Sequence, residues 1–181
     1  MTILLSGGAK NGKSDLAQEL ALRLADGGAH YYLATMIPCD GEDNRRIARH
    51  RENRAGMGFE TVERGRDLCG CLTAENRKGV FLVDSVTALL LNELFPDPTS
   101  GELDENAADR CIRDLTAFAG QVRGVVFVSD AIGADADGYD PVTEIYRRSL
   151  ARVERVLAAV CDTVTELSVG IPVIYKGEMP R

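Results

Sequence analysis

Two groups of residues in this chain have the types and spacing to do chemistry. The first is Gly7-Gly8-Ala9-Lys10-Asn11-Gly12-Lys13-Ser14, which matches G-x-x-x-x-G-K-[ST] at every fixed position. Glycines let the backbone wrap an anion with its N–H groups, and a following helix N-terminus adds partial positive charge. In that pattern Lys13 reaches the outer phosphates of a nucleotide and the Ser14 hydroxyl meets Mg²⁺. The second group is Arg45-Arg46-Ile47-Ala48-Arg49-His50-Arg51-Glu52-Asn53-Arg54, where five of 21 basic residues fall within ten positions. On a helix Arg46, His50 and Arg54 share a face. Such a cluster repels itself unless an anion balances it, and a triphosphate would. The flanking cations disfavour the imidazolium, so His50 is expected to be neutral and able to attack phosphorus. A solvated basic helix with an incidental histidine is the plainer alternative on these residues alone.

The elements that must position these groups follow from the apolar pattern. Residues 2–5 read as a buried strand ending in glycines, and 13–26 as a helix with Leu16, Leu20 and Leu24 on one face. Further strands are expected at 30–34, 59–62, 80–84, 125–129, 164–167 and 173–175. Helices are expected at 40–54, 67–75, 85–95, 105–122 and 141–161, with a Gly/Asp-rich loop over 130–140. Strands alternating with helices, several of them unbroken apolar runs, predict an α/β fold: a mostly parallel sheet with helices on both faces and a P-loop nucleotide site. The phosphate loop then sits where that chemistry needs it, after a strand and opening a helix. Asp84 ends the strand VFLVD and is the natural second Mg²⁺-side acid, with capping of the next helix as the alternative.

Bulk properties narrow the class. At 181 residues the chain fits one domain spanning 1–181. Its net charge of −7 argues against a broad nucleic-acid-binding surface, so any anion site must be local. Five scattered cysteines suggest reduced thiols in a cytoplasmic protein, and Cys69-Gly70-Cys71 lacks the second half of a metal site. The apolar run at 3–5 is too short for a signal peptide, and no segment approaches the ~18 apolar residues of a membrane span.

The loop motif is common to many kinases and NTPases, so it names no reaction. The block 31–63, YYLATMIPCDGEDNRRIARHRENRAGMGFETVE, resembles the pattern Y-I-A-T … D-x-E-M-x-x-R-I-x-x-H-x-x-x-R-P … W-x-T-x-E. With GGAKNGKS before it and VFLVDSVTALLLNELF after it, the chain resembles the bifunctional adenosylcobinamide kinase/adenosylcobinamide-phosphate guanylyltransferase family of cobalamin biosynthesis. That resemblance implies phosphorylation of adenosylcobinamide by ATP or GTP, then transfer of GMP from GTP through a guanylylated histidine matching His50. It implies nucleotide contacts at Gly7–Ser14, at Leu33, Ala34 and Thr35, at Arg51, Glu52, Asn53 and Arg54, and at Glu63 and Asp84. A homotrimer with sites at subunit contacts is also implied. A monofunctional P-loop kinase and a nucleotide-binding protein without turnover are the competing readings. The pattern departs at Ala55 for proline, at Phe59 for tryptophan, and over 129–141. In that last stretch SDAIGADADGYDP replaces N-E-V-G-x-G-I-V-P, so Asp130 stands at the asparagine and Ala131 at the glutamate.

Overall fold

The structure, a computed structural model, describes residues 1–39, 41–97, 99–132 and 138–180, without the side chains of Arg46 and Asn53. Seven strands form one sheet in the order β3-β2-β4-β5-β1-β6-β7. They are β1 (Thr2–Gly7), β2 (His30–Ala34), β3 (Glu60–Glu63), β4 (Val80–Asp84), β5 (Gly124–Val128), β6 (Thr163–Ser168) and β7 (Ile171–Lys176). The first six run parallel, and β7 returns antiparallel on β6 as an exposed edge. Every residue of β5 is buried, and so is β4 up to its terminal Asp84. Runs this apolar are stable only where helices cover both faces of a sheet.

Among the described residues there are five α-helices: α1 (Lys13–Ala25), α2 (Gly41–Asn53), α3 (Val86–Leu94), α4 (Ala107–Ala119) and α5 (Pro141–Val160). On one face α1 lays Ala17, Leu20 and Ala21 against Ile3, Leu5, Leu82 and Val126. On the other, α3, α4 and α5 bring Leu90, Leu115, Phe118 and Leu157 onto Phe81, Val83 and Phe127. Helix α2 joins neither core, and none of its residues with described burial is buried. Its polar sequence leaves it on the surface.

Most expected elements form within two residues of the positions read from the pattern, but three details differ. The helix expected over 67–75 is instead two short 3-10 turns, Leu68–Cys71 and Asn76–Lys78. The Asp114 carboxylate accepts the Leu68 N–H at 2.7 Å and the Cys69 N–H at 3.3 Å, and Asn76 closes on Thr73 and Cys71. The Thr73 amide, which a helix through this stretch would pair with the Cys69 carbonyl, is thus taken by the Asn76 side chain. Helix α2 stops at Asn53, before Arg54. Strand β3 begins and ends one residue later than expected, and so includes Glu63. Asp40, Pro98 and 133–137 of the expected loop lie outside the described residues. Among those described, no helix is long and apolar enough to cross a membrane.

Candidate active site at the strand ends

The parallel register brings five strands to one level at or near their C-terminal ends. Ala34 pairs with Glu63 on one side and with Asp84 on the other, Asp84 pairs with Val128, and Val128 with Leu5. Residues just beyond these positions share one edge of the sheet, the edge at which ligands bind in such folds. The loop Gly8–Gly12 leaves β1 there and opens α1.

Backbone geometry explains why this loop needs its glycines. Gly7 has φ near 149°, and a Cβ on it would stand 2.6 Å from both the Leu167 carbonyl oxygen and Asn11 Nδ2. Gly12, the α1 N-cap, has φ 93°, a left-handed conformation that only glycine adopts freely. Asn11 anchors the turn by donating to the Leu167 carbonyl and accepting the Lys13 N–H. Gly8, Ala9, Lys10 and Gly12 are exposed, Asn11 and Ser14 half-buried, and Lys13 buried. The Lys13 ammonium donates to the Gly8 carbonyl at 2.5 Å and pairs with Asp130 at 3.0 Å.

At the end of β4, Asp84 does not cap the following helix: the Ser85 hydroxyl does, accepting from Ala88 N–H. Asp84 Oδ2 instead accepts the Tyr32 hydroxyl at 2.6 Å. The donor set that Ser14 and Asp84 offer is oxygen only, a hydroxyl and a carboxylate, which fits Mg²⁺ held together with substrate phosphates. No group of three or more His, Cys, Asp or Glu suited to a metal occurs among the described residues, so the Cys69–Cys71 pair has no partner set.

Arg54 is a buried cation at this edge. Past the end of α2 the chain tightens, with Arg54 N–H donating to Arg51 O and Ala55 N–H to Glu52 O. Arg54 therefore leaves the helix face and its guanidinium lies over the Tyr32 ring, 3.3 Å from the centroid. The residue is 6% exposed, and its Nη1 has no hydrogen-bond partner among the described residues. Burial lowers its pKa, opposed by the nearby Tyr32 and Asp84. His50, four residues earlier, is half-buried on α2. Arg51 forms an ion pair with Glu63, linking α2 to the end of β3 through two largely exposed side chains. Glu52 is exposed, and the Asn53 side chain lies outside the description.

The segment 33–35 is structural in its side chains. Leu33 is fully buried in the core. The Thr35 hydroxyl, also fully buried, donates to Ser85 O at 2.8 Å and accepts Ser85 N–H at 2.7 Å. Asn92 Nδ2 then donates to Thr35 O and Gly65 O. Beside this clamp lies a mainly apolar cleft of about 320 Å³ whose lining includes Met36, Ile37, Ala88, Leu91 and Phe95. Tyr32, Thr87 and Asn92 were not anticipated as site residues. The lone asparagine in the apolar run LLLNELF was the one signal available for Asn92.

A largely parallel sheet with a phosphate-loop motif between its first strand and helix is the architecture of P-loop NTPase-like proteins. Similar folds among solved structures include a KaiC-like protein from Pyrococcus horikoshii, with TM-score 0.56 and 16% identity over 99% of this chain and 80% of that one. A type III secretion ATPase of pathogenic bacteria has TM-score 0.52 and 13% identity over 92% of this chain and 51% of that one. At these identities the likeness is one of fold alone.

The family model "Cobinamide kinase / cobinamide phosphate guanyltransferase" matches residues 3–174, and the chain belongs to that family of bifunctional enzymes. Its relatives include the bifunctional adenosylcobalamin biosynthesis protein CobP of Pseudomonas aeruginosa, 34% identical over 98% of this chain and 99% of that protein. CobU of Escherichia coli is 31% identical over 97% of this chain and all of that protein.

Proposed function

We propose that the enzyme acts on adenosylcobinamide in the cytoplasm, in two steps that share one edge of the sheet. In the first, the aminopropanol hydroxyl of adenosylcobinamide attacks the γ-phosphorus of ATP or GTP. The phosphate loop Gly7–Ser14 holds the donor, and Lys13 balances charge on the leaving diphosphate. In the second, the unprotonated imidazole nitrogen of His50 attacks the α-phosphorus of GTP. A P–N bond forms, the α–β P–O bond breaks, pyrophosphate leaves, and the other ring nitrogen gives up its proton. A phosphate oxygen of adenosylcobinamide phosphate then attacks the same phosphorus. The P–N bond breaks and the departing imidazole takes a proton back on its other nitrogen, giving adenosylcobinamide-GDP and free neutral His50.

Lys13, Arg51 and Arg54 stabilise the charge that develops on departing phosphates. Mg²⁺, held by Ser14 and Asp84, would supply Lewis-acid neutralisation of the polyphosphate. Ala34, Thr35 and the carboxyl of Glu63 complete the nucleotide edge, with Leu33 behind them and Glu52 and Asn53 beside His50. A homo-oligomer, a trimer in the family pattern, closes the site.

What supports this reading is the buried Arg54 guanidinium beside Tyr32 and Asp84, with a nitrogen that lacks a partner among the described residues. It lies four residues from His50, and a buried cation in that condition calls for an anion. The test is incubation with GTP labelled at the α-phosphorus. Acid-labile label should stay on the denatured protein and be absent in His50→Ala. Kinase turnover with no covalent label would leave only the phosphotransfer half of the proposal.

A further inference from the structure

The residue that Lys13 meets across the loop is not one the phosphate chemistry calls for. Asp130 follows β5, and its neighbour Ala131 donates its N–H to the Gly7 carbonyl at 2.9 Å, fixing this turn against the phosphate loop. Asp130 Oδ1 stands 3.0 Å from Lys13 Nζ. Its other oxygen accepts the Thr87 hydroxyl at 3.2 Å, and that same hydroxyl accepts the Asp130 N–H at 3.1 Å. Thr87 is itself buried in the first turn of α3. The carboxylate is therefore held in place from two sides; it is itself partly exposed, and the Lys13 side chain it faces is buried.

We infer that Asp130 is a positioning residue that stands in for phosphate on Lys13 and makes nucleotide binding depend on a divalent cation. This rests on the nucleotide reading of the phosphate loop. An arriving β- or γ-phosphate must take Lys13 from Asp130. It then lies beside a carboxylate that Thr87 prevents from swinging away. Two anions this close repel strongly where water is partly excluded. A cation bound to the phosphates offsets that repulsion, whereas a free nucleotide brings no positive charge of its own and meets only the protein's cations. Asparagine, the residue at this place in the pattern the chain otherwise follows, keeps the Thr87 contacts and carries no charge. The aspartate thus adds a selectivity for metal-loaded nucleotide.

The experiment compares wild type with Asp130→Asn by calorimetric titration with ATP and with GTP, in EDTA and in saturating Mg²⁺. In EDTA the variant should bind on the order of tenfold more tightly. In Mg²⁺ the difference should shrink to within about threefold. Asp130→Ala should shift affinity in the same direction, and circular dichroism confirms that each variant is folded. Equal or weaker binding by Asp130→Asn in EDTA overturns the inference. So does a large loss confined to Mg²⁺, which would make Asp130 a metal ligand instead. Failure of wild type to bind either nucleotide in either buffer removes the nucleotide reading itself, and the inference falls with it.

Discussion

The guanidinium of Arg54 lies flat over the ring of Tyr32, and the hydroxyl of that ring donates to Asp84. Three side chains from the end of α2, from β2 and from β4 are thereby fixed relative to one another before any ligand arrives. Neither charge is neutralised directly by the other; the tyrosine stands between them. Preorganisation of this kind is what transition-state electrostatics require, since no reorientation is needed when charge develops.

Replacing Arg54 by methionine separates stability from function at this point. The buried guanidinium carries a desolvation cost, offset in part by its contact with the ring, and methionine keeps the apolar stem. Stability should change by no more than about 1 kcal/mol, read from urea unfolding. Pyrophosphate release from GTP should fall at least about 100-fold, the scale of losing one preorganised charge contact. A variant that unfolds readily but turns over normally would contradict this account.

Thr35 makes the opposite kind of prediction. Its hydroxyl both donates to and accepts from the Ser85 backbone in a fully buried position. Valine matches its shape but leaves the Ser85 N–H and C=O without that partner. Thr35→Val should cost about 3 kcal/mol in chemical denaturation, because two buried backbone groups lose a hydrogen bond. Thr35→Ser, which keeps the hydroxyl, should recover most of it.

These two residues also mark how far the sequence was legible. The strands over 80–84 and 125–129 could be read because both their faces are buried, which leaves an unbroken apolar run. The phosphate loop could be read because its backbone conformation restricts it to particular residue types. The clamp between Thr35 and Ser85 could not, since it joins residues 50 apart by hydrogen bonds that leave no periodicity. The helix expected over 67–75 gives way to two 3-10 turns in which the Asn76 side chain takes the Thr73 amide, a hydrogen bond that leaves no periodicity either. Arg54 is expected from the spacing to share a helix face with Arg46 and His50, whereas it lies beyond the last residue of α2. That it turns off the helix to stack on Tyr32 depends on where α2 ends, and local pattern defines ends least well.

Glu154 gives a prediction in pH. It is half-buried on α5, and burial raises its pKa, opposed by the Ser129 hydroxyl and reinforced by nearby Asp130. The folded state therefore holds this proton more tightly than the unfolded chain does. Its contribution to stability is full below the unfolded value of about 4.3 and declines as pH rises through the raised folded value. Glu154→Gln should accordingly be more stable than wild type at pH 7. The two should converge below about pH 4, where the carboxyl is protonated in both states. Thermal melts across pH 3.5 to 7.5 test this, and a constant offset at every pH would rule it out.

Gly7→Ala tests whether the loop's shape is imposed by the fold rather than by a ligand. The added Cβ would meet the Leu167 carbonyl oxygen, which belongs to β6 and is paired through the sheet to Gly7 itself. Nothing there is the far end of a flexible chain except Asn11, and Asn11 is the residue that ties the loop to Leu167. The substitution should cost roughly 2–3 kcal/mol without any nucleotide present, from steric conflict joined to a positive φ. Gly8→Ala is the matched control: no atom lies within 4 Å of its would-be Cβ and its φ is not positive. It should lie within about 0.5 kcal/mol of wild type by urea unfolding. If both variants were equally stable, the loop would be pliable in the free protein. The anion would then have to organise it, and Lys13 could not be held ready against Gly8 and Asp130 as it is here.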